Sequence, residues 1–568
     1  MSLDYYEERM CGIWALIGNL MDSTTVKHCI KQIAARGPEA ARVVEGERFQ
    51  LGFTRLSING LNPMGMQPMT HDNGHWQWIC NGEIYNWRNL ASRYSIETES
   101  GSDCEIIGKL FPRLASETDA RTFFRSLDGV FSIVMIDSDS GIAYVARDPY
   151  GVRPLFVGYV LGNPVDDAGN NAVVLDSSGN KRVVERIVFA SELKAMPLAE
   201  CSIVEPFPPG HYAAYDLKTL GRIGFEAYHT VPFLKNPTLE DEKCASNALS
   251  TALELAVKKR MMTQRPVAAL LSGGLDSSLI AALVQRELKT AGAPPLKTFS
   301  IGFEGSKDLY YAQMVANHIG SEHHEIVMTP ADFLDAIPAV IRDIESYDIT
   351  SVRASVGNWL VSREIRRRTD CKVVFNGDGS DEVFGGYLYF YKAPGDEAFE
   401  AESERLLQDI HMYDVLRSDR SISSHGLEAR TPFLDKQFVA VARSISSKLR
   451  RPVKDAQCEK YILRKAFDGS GLLPDEVLWR TKTAFSDGVS GEKSWYEICQ
   501  EYAIQEVDDN WQEKANVFRH LTPKTAEAYY YRALFNKYYK NAETCIPYFW
   551  MPKWSPETND PSALTLKY

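Results

Sequence analysis

The sequence contains no long hydrophobic run and no excess of basic residues. Across 568 residues, no uninterrupted apolar stretch approaches the roughly 20 residues that a membrane-spanning helix requires. The N-terminus also lacks the apolar core of a signal peptide. The formal net charge of −12 argues against general binding to nucleic-acid phosphates. We therefore expect neither a membrane nor a nucleic acid among the partners of this protein.

The chain also lacks a cysteine framework. Its ten cysteines are scattered, with no C-x-x-C pair and no dense cluster of the kind found in small secreted domains. This distribution predicts a reducing, cytoplasmic location.

The length and the change in hydrophobic periodicity predict two large domains, because single cores stop growing at roughly 250 to 300 residues. Residues 11–225 contain short β-type runs separated by turns, which predicts a β-sheet-rich domain with a few helices. After a linker at residues 226–240, strand and helix patterns alternate in residues 241–568, and the last third is mostly helical. This alternation is typical of an α/β domain with a doubly wound parallel sheet.

A candidate nucleophile stands at the start of the first β-run. A cysteine thiolate attacks an amide only if a base takes its proton, and Cys11 could use its own α-amine, provided that this amine is free. Asn81 and Gly82 follow a predicted strand, where an amide side chain and a closely approaching backbone can stabilise an oxyanion. Arg55 offers a planar fork for an α-carboxylate. Glu83 and Asp103 could receive an α-ammonium group. Taken singly, each of these residues also has an ordinary structural interpretation, such as a surface ion pair for Arg55 and a turn or helix cap for Asp103.

Four motifs in order, Cys11-Gly-Ile, Arg36-Gly-Pro, Arg55-Leu-Ser-Ile and Asn81-Gly-Glu-Ile-Tyr-Asn, resemble the class II glutamine amidotransferase domain. That family has an N-terminal-nucleophile fold. The resemblance implies that Cys11 is the nucleophile and that its α-amine is the base. It further implies the residues that hold glutamine and the oxyanion, which are Arg55, Asn81, Gly82, Glu83 and Asp103.

The chain departs from this family at two points. Ala35 stands before Arg36 where the family commonly has histidine, and ten residues precede Cys11. If retained, these ten residues acylate the amine that the mechanism needs. Four explanations remain open: translation starts at Met10 and that methionine is removed, the extension is cleaved, the extension is artificial, or glutamine hydrolysis is impaired.

A second candidate site begins where a short apolar strand meets a helix, at Leu271-Ser-Gly-Gly-Leu-Asp-Ser-Ser278. Glycines and hydroxyl residues at a helix N-terminus present N–H groups to an anion, which is the chemistry of a phosphate loop. No Gly-Lys-Ser/Thr follows, so the pattern does not predict transfer of a γ-phosphate. Asp276 is interpreted as a partner of Mg²⁺ or pyrophosphate. The loop resembles that of ATP pyrophosphatases, which adenylate their substrates.

Further candidates follow a later strand, Val373 to Asn376. Asp378 and Asp381 lie in a loop rich in glycine and acids, where ligands gather at the carboxyl ends of parallel strands, and either could bind Mg²⁺ or act as a base. Lys482 is a candidate to neutralise charge as an α-phosphate is attacked.

Nearly the whole chain resembles the glutamine-hydrolysing asparagine synthetases, through stretches such as Glu345-Ser-Tyr-Asp-Ile-Thr-Ser-Val-Arg353 and His425-Gly-Leu-Glu-Ala-Arg-Thr-Pro-Phe-Leu-Asp435. The resemblance implies that aspartate is adenylated with ATP and then amidated, with L-aspartate, L-glutamine and ATP as small-molecule substrates, Mg²⁺ as cofactor and a homodimer as the candidate assembly. It assigns the ATP site to Leu271, Ser272, Gly273, Gly274, Asp276, Ser277, Ser278 and Ile301. It assigns contacts with nucleotide or pyrophosphate to Gly377 and Asp381, adenylation to Lys482, and aspartate to Thr350 and Arg353.

One departure falls inside this second site. The family usually has Ser-Gly-Glu where this chain has Asn376-Gly377-Asp378, so the carboxylate is shorter by one methylene. We expect Asp378 still to serve, with a compensating shift. Two alternatives remain: an ammonia-dependent synthetase with a silenced glutaminase, and a catalytically weak relative that acts as a binding or sensing protein.

Overall fold

The computed structural model describes residues 11–37, 39–117, 119–165, 169–175, 179–231, 237–482, 488–491, 493–555, 558 and 560–562, with the side chain of residue 117 excepted. The ten residues before Cys11 and part of the expected linker, residues 232–236, lie outside the described residues. The chain divides into two units. The first comprises the described parts of Met1–Thr230, Ser423–Gly426 and Asn536–Cys545, and the second those of Val231–Ile422, Leu427–Phe535 and Ile546–Tyr568.

The first unit contains thirteen strands and four helices among its described residues. The strands are β1 (Gly12–Gly18), β2 (Ala40–Glu45), β3 (Phe49–Arg55), β4 (Met69–His71), β5 (Trp76–Ile84), β6 (Gly129–Asp137), β7 (Ile142–Arg147), β8 (Phe156–Pro164), β9 (Val173–Leu175), β10 (Lys181–Ala190), β11 (Ile203–Pro206), β12 (His211–Asp216) and β13 (Arg222–Ala227). The helices are α1 (Ser23–Gln32), α2 (Trp87–Tyr94), α3 (Glu105–Glu117) and α4 (Ala120–Ser126).

These strands form two antiparallel sheets. One has the order β11-β8-β10-β1-β3-β2, with β9 beside β10, and the other has the order β13-β12-β7-β6-β5-β4. Alternate residues of β1, namely Ile13, Ala15 and Ile17, are fully buried in a core shared with Ile79 and Val134 of the second sheet. Because full burial of an Ile or Val side chain contributes about 1.5 to 3 kcal/mol, this core stabilises the packing of the two sheets. The predicted sheet-rich glutaminase fold is confirmed as an antiparallel β-sandwich.

The second unit alternates helices and strands before it becomes helical. Its described elements begin with α5 (Glu242–Arg260), β14 (Val267–Leu270), α6 (Leu275–Thr290), β15 (Lys297–Gly302), α7 (Lys307–Ile319), β16 (Glu322–Val327), α8 (Pro330–Ile344), α9 (Ile349–Arg368), β17 (Val373–Phe375), α10 (Ser380–Phe384), α11 (Asp396–Asp409), α12 (Asp414–Ser423) and β18 (Glu428–Arg430). They continue with α13 (Lys436–Ser444), α14 (Ser447–Arg450), α15 (Tyr461–Phe467), α16 (Asp475–Leu478), α17 (Trp495–Glu506), α18 (Trp511–Ala515) and α19 (Ala526–Tyr538). Among the helices of the described chain, none has the length and apolar character needed to cross a membrane.

The five strands of this unit form a parallel sheet in the order β16-β15-β14-β17-β18. From β14 the chain first moves outward through β15 and β16, and then returns to the other side of β14 with β17 and β18. The order therefore reverses between β14 and β17. In open α/β sheets a ligand crevice lies at such a switch point, outside the carboxyl ends of the strands. The predicted parallel-sheet α/β domain with a helical C-terminal part is confirmed.

Candidate active sites

The thiol of Cys11 lies at the start of β1, beside the end of β3. Its Sγ atom is 3.2 Å from the backbone oxygen of Leu56 and 3.2 Å from the backbone nitrogen of the same residue. The thiol donates to the first atom and accepts from the second. The guanidinium of Arg36 donates from Nε to the carbonyl oxygen of Cys11 at 3.0 Å. Backbone groups and one buried arginine therefore fix the position of the candidate nucleophile.

Arg36 is itself held by a buried ion pair with Glu192, at 2.8 Å, and Glu192 also pairs with Lys194 at 2.8 Å. Burial raises the pKa of Glu192, but the opposing charges of Lys194 and Arg36 outweigh it and lower this pKa to about 2. The neighbouring Ser191 accepts hydrogen bonds from the N–H of Ile13 at 3.1 Å and from the side-chain amide of Asn81 at 3.4 Å. The segment after β10 thus joins β1 to the candidate oxyanion donor.

Gly82 lies in β5 where no other residue fits. Its φ angle is +154°, and a Cβ atom there would lie 2.0 Å from the carbonyl oxygen of Val130. Two residues further on, the N–H of Ile84 donates to Oδ2 of Asp103 at 2.6 Å. The backbone beside the candidate oxyanion donors is therefore rigidly held.

The loop that follows β3 connects two predicted glutamine ligands. Arg55 donates from Nη2 to the carbonyl oxygens of Gly60 at 2.5 Å and Asn62 at 3.0 Å. Asn59 of the same loop donates to Oε2 of Glu83 at 2.7 Å. Asn59 and Asn62 were not among the predicted residues, because single asparagines in a loop carry no distinctive pattern.

The second candidate site is a cavity of about 180 Å³ in the second unit. It includes the loops that follow β14 and β17, at the switch point of the sheet. Of the predicted residues, ten line it: Leu271, Ser272, Gly274, Asp276, Ser277, Ile301, Gly377, Asp378, Asp381 and Lys482. Asn376, which the sequence marked only as a departure from the family, lines it as well. The residues that sequence reasoning missed include Asp308, Asn358, Asp414, Arg417, Glu459, Lys460, Arg464 and Arg480.

Lysine side chains join the two acidic loops of this cavity. Nζ of Lys460 lies 2.6 Å from a carboxylate oxygen of Asp276 and 2.6 Å from one of Asp381, and Lys482 pairs with Asp381 at 2.5 Å. Burial raises the pKa of Asp381, but the charges of Lys460 and Lys482 outweigh this effect and hold it below its ordinary value. Burial lowers the pKa of Lys482, whereas Asp381 and Asp276 raise it above its ordinary value.

Asp276 and Asp381 are suitable ligands for Mg²⁺. Asp276 and Asp381 converge on one Lys460 nitrogen, and Mg²⁺ is commonly held by one or two carboxylates together with substrate phosphates. Within the described ranges, no group of three or more His, Cys, Asp or Glu side chains has the arrangement of a complete metal site. Phosphate oxygens and water molecules would complete the coordination.

The carboxyl group of Asp378 faces a different partner. Arg417 of α12 donates from Nη2 to its Oδ1 atom at 3.2 Å and also binds Asp414, which lies one turn earlier on the same helix. Burial raises the pKa of Asp378, and the charge of Arg417 lowers it. The negative charge of Asp414 raises this pKa further, so that it lies above its ordinary value. A carboxyl group with a raised pKa is a better proton acceptor.

Arg480 supports the phosphate loop from the opposite side. It donates to the carbonyl oxygen of Gly273 at 3.0 Å and to Asp308 at 2.9 Å, and its guanidinium lies 4.1 Å from the ring centre of Tyr311. Gly273 has a φ angle of +70° and leaves no room for a Cβ atom beside Tyr311. The arginine thereby fixes the loop whose N–H groups are the candidate phosphate ligands.

Four predicted residues do not line this cavity. Gly273 and Ser278 lie in the loop and in α6 behind it, and Thr350 and Arg353 lie in the first turn and a half of α9. Arg353 is buried and binds the carboxylates of Glu527 and Asp560, with contacts of 2.5 to 2.9 Å. Asn358, five residues after Arg353 on α9, does line the cavity.

Both units of the chain are similar to known protein families. Residues 10–225 match the glutamine amidotransferase domain family, and residues 248–401 and 391–565 match the asparagine synthase family. The glutamine-hydrolysing asparagine synthetase of Gallus gallus is 42% identical over 581 residues, which cover 98% of this chain and 99% of the relative. The corresponding enzyme of Homo sapiens is 41% identical over 582 residues, with the same coverage. Among solved structures, the glutamine phosphoribosylpyrophosphate amidotransferase of B. subtilis has 14% identity and a TM-score of 0.30, over 52% of this chain and 67% of its own.

A glutamine amidotransferase sandwich and a parallel-sheet synthetase unit together define a two-domain amidotransferase of the ATP-using ligase class. The similarity to the Gallus gallus and Homo sapiens enzymes extends over nearly the full length and identifies the family within this class. The chain belongs to the glutamine-hydrolysing asparagine synthetase family.

Proposed function

We propose that this protein forms L-asparagine from L-aspartate, with ATP as the activating substrate and with nitrogen from L-glutamine or ammonia. The observation that supports the synthetase step is the cavity at the switch point of the parallel sheet, where a phosphate-type loop, two aspartates and two lysines converge.

In the first step, a carboxylate oxygen of aspartate attacks the α-phosphorus of ATP. The bond from that phosphorus to the bridging oxygen breaks, and pyrophosphate leaves with the electron pair. The N–H groups at the start of α6 would bind phosphate oxygens, and Lys482 would neutralise the charge that develops at the α-phosphate. Asp276 and Asp381 would hold Mg²⁺, which when bound neutralises further phosphate charge. Thr350 and Arg353 are proposed to act on aspartate from α9.

In the second step, ammonia attacks the carbonyl carbon of the aspartyl-adenylate. A C–N bond forms, the bond from the carbonyl carbon to the phosphate oxygen breaks, and AMP leaves with the electron pair. A proton must leave the nitrogen, and Asp378 would accept it because its raised pKa makes it a suitable base.

In the glutaminase site, the Cys11 thiolate would attack the side-chain amide of glutamine and release ammonia, and water would then hydrolyse the thioester to glutamate. Asn81 and Gly82 would stabilise the oxyanion, and Arg55, Glu83 and Asp103 would bind the charged end of glutamine. This step requires a free α-amine on Cys11. Intact mass measurement of the purified protein would test that requirement.

The remaining parts of the proposal concern assembly and location. The family resemblance supports a homodimer, which sedimentation equilibrium would test. The ten cysteines, all without disulfide bonds, suit a reducing compartment such as the cytoplasm.

The decisive experiment measures asparagine and AMP formation from aspartate and magnesium ATP, with glutamine and with ammonium side by side. Activity with both donors is expected. Activity with ammonium alone would indicate a blocked Cys11, and absence of asparagine with either donor would overturn the proposed function.

A further inference from the structure

Asn376 ties the loop of Asp378 to helix α12. Its side-chain Nδ2 donates to the hydroxyl oxygen of Ser418 at 2.7 Å, and its Oδ1 accepts from the backbone N–H of Asp378 at 3.3 Å. Its own backbone N–H donates to the carbonyl oxygen of Arg430 at 3.1 Å, so the residue is anchored in the sheet as well. Through its backbone and its side chain, this one residue therefore connects β18, the loop after β17 and α12.

The same part of α12 carries the partner of the Asp378 carboxylate. Arg417 precedes Ser418 directly and donates to Oδ1 of Asp378 at 3.2 Å. The other oxygen, Oδ2, is buried and makes no hydrogen bond of ordinary length and angle to the described residues, although the Ser418 hydroxyl lies close enough to the carboxyl group to oppose the rise of its pKa. A buried carboxylate oxygen without a good hydrogen bond is costly, and a catalytic role is one reason for a protein to keep such an oxygen.

The shorter acid explains why such an anchor matters. The carboxylate of Asp378 reaches one methylene less far than a glutamate carboxylate, so its position depends more strongly on the backbone of the loop. Asn376 is 3% exposed and lines the cavity together with Asp378, Asp414 and Arg417. A displacement of about 1 Å at a reacting group can cost about 100-fold in rate.

We propose that Asn376 and Ser418 are positioning residues that hold the Asp378 carboxyl group at the reacting carbonyl of the acyl-adenylate during amide formation. The inference rests on the proposed function and deepens it. Neither residue needs to touch a substrate, because Asn376 acts through the loop backbone and Ser418 acts on Asn376 and on the Asp378 carboxyl group.

The test separates the two half-reactions of the full-length protein. Aspartate-dependent exchange of pyrophosphate into ATP reports adenylation, and ammonium-dependent asparagine formation reports both steps. For Asn376→Ala and Ser418→Ala we expect asparagine formation to fall about 10- to 100-fold while the exchange rate changes less than about threefold. Asn317→Ala, which removes an exposed asparagine of α7, is the matched control and should leave both rates unchanged.

A double-mutant cycle distinguishes positioning from a general loss of structure. If Asn376 acts through Asp378, adding Asn376→Ala to Asp378→Asn should reduce asparagine formation little further. The paired change Asn376→Ser with Asp378→Glu should be more active than Asp378→Glu alone, because a smaller residue at 376 makes room for the longer acid. Three outcomes would overturn the inference. Both half-reactions could fall equally in the single variants, asparagine formation in those variants could stay unchanged, or the rate losses of Asn376→Ala and Asp378→Asn could multiply in the double variant.

The design also separates this inference from the proposed function. If the unmodified protein forms no asparagine with ammonium, the proposed function fails. If it does, and the variants behave like the control, only the positioning role fails. Should Asn376→Ala not fold, Ser418→Ala and Asn376→Ser are judged by the same criteria.

Discussion

Around Cys11, the hydrogen bonds that fix the candidate residues end mostly on backbone groups, whereas around Asp276 they end on oppositely charged side chains. Cys11 contacts the backbone of Leu56, and Arg55 donates to two loop carbonyls. Asp276 and Asp381 are instead bound by Lys460 and Lys482.

This difference follows from the two kinds of ligand. A free amino acid carries small, fixed charges, which a rigid backbone and a single arginine can recognise. A triphosphate carries a large negative charge, so its site needs several cations. Those cations are paired with carboxylates, since a buried unpaired charge is strongly unfavourable.

The strongest test of this contrast is Cys11→Ala. We expect glutamine-dependent asparagine formation to fall by about 10³-fold or more, because no other group supplies the nucleophile. Ammonium-dependent formation should be unchanged. Assays with the two donors check both expectations, and Cys244→Ala, an exposed free cysteine, is the matched control. An equal loss with both donors would contradict separate roles for the two sites.

The second test is Lys482→Ala. Adenylation should slow by about 10²- to 10³-fold, because the charge that develops at the α-phosphate loses a preorganised cation. Pyrophosphate exchange measures this step, and glutamine hydrolysis serves as the internal control. Loss of glutamine hydrolysis without loss of exchange would reverse the assignment of this lysine.

The third test concerns stability around Arg36. Glu192→Gln should lower the free energy of unfolding by about 3 kcal/mol, because Arg36 and Lys194 lose a buried partner. The pKa of Glu192 is lowered from 4.5 to about 2 on folding, so its contribution is present above about pH 4.5 and is lost as the pH falls toward 2. Urea unfolding across this range should therefore show a steeper loss in the unmodified protein than in Glu192→Gln. Parallel curves would disprove the assigned contribution.

The smallest expected effect is that of Asp378→Glu. The added methylene displaces the carboxylate from Arg417, and we expect ammonium-dependent asparagine formation to fall about tenfold with pyrophosphate exchange retained. Unchanged or higher activity would show that the pocket is not fitted to the shorter acid.

The sequence by itself was sufficient for the fold class and for the residues near glycine-rich turns. The change from short β-type runs to alternating strand and helix patterns predicted a β-sheet-rich domain followed by a parallel sheet, because each pattern describes which faces are buried. The phosphate loop was predictable because β14, the loop and α6 are consecutive in the chain, and the loop geometry depends on local residues such as Gly273.

Only the tertiary structure decided how distant side chains meet. Lys460 pairs with both Asp276 and Asp381, and 184 residues separate it from Asp276 in the chain. No local pattern distinguishes this lysine from a solvated one. Arg417 and Ser418 of α12 likewise reach this loop from a distance, across 39 residues between Arg417 and Asp378 and 42 residues between Ser418 and Asn376. Arg353 is a further case, since its guanidinium binds Glu527 and Asp560, which lie 174 and 207 residues away in the chain. Local sequence fixes backbone shape, whereas charge pairing over long separations depends on the complete packing of the sheet and its helices.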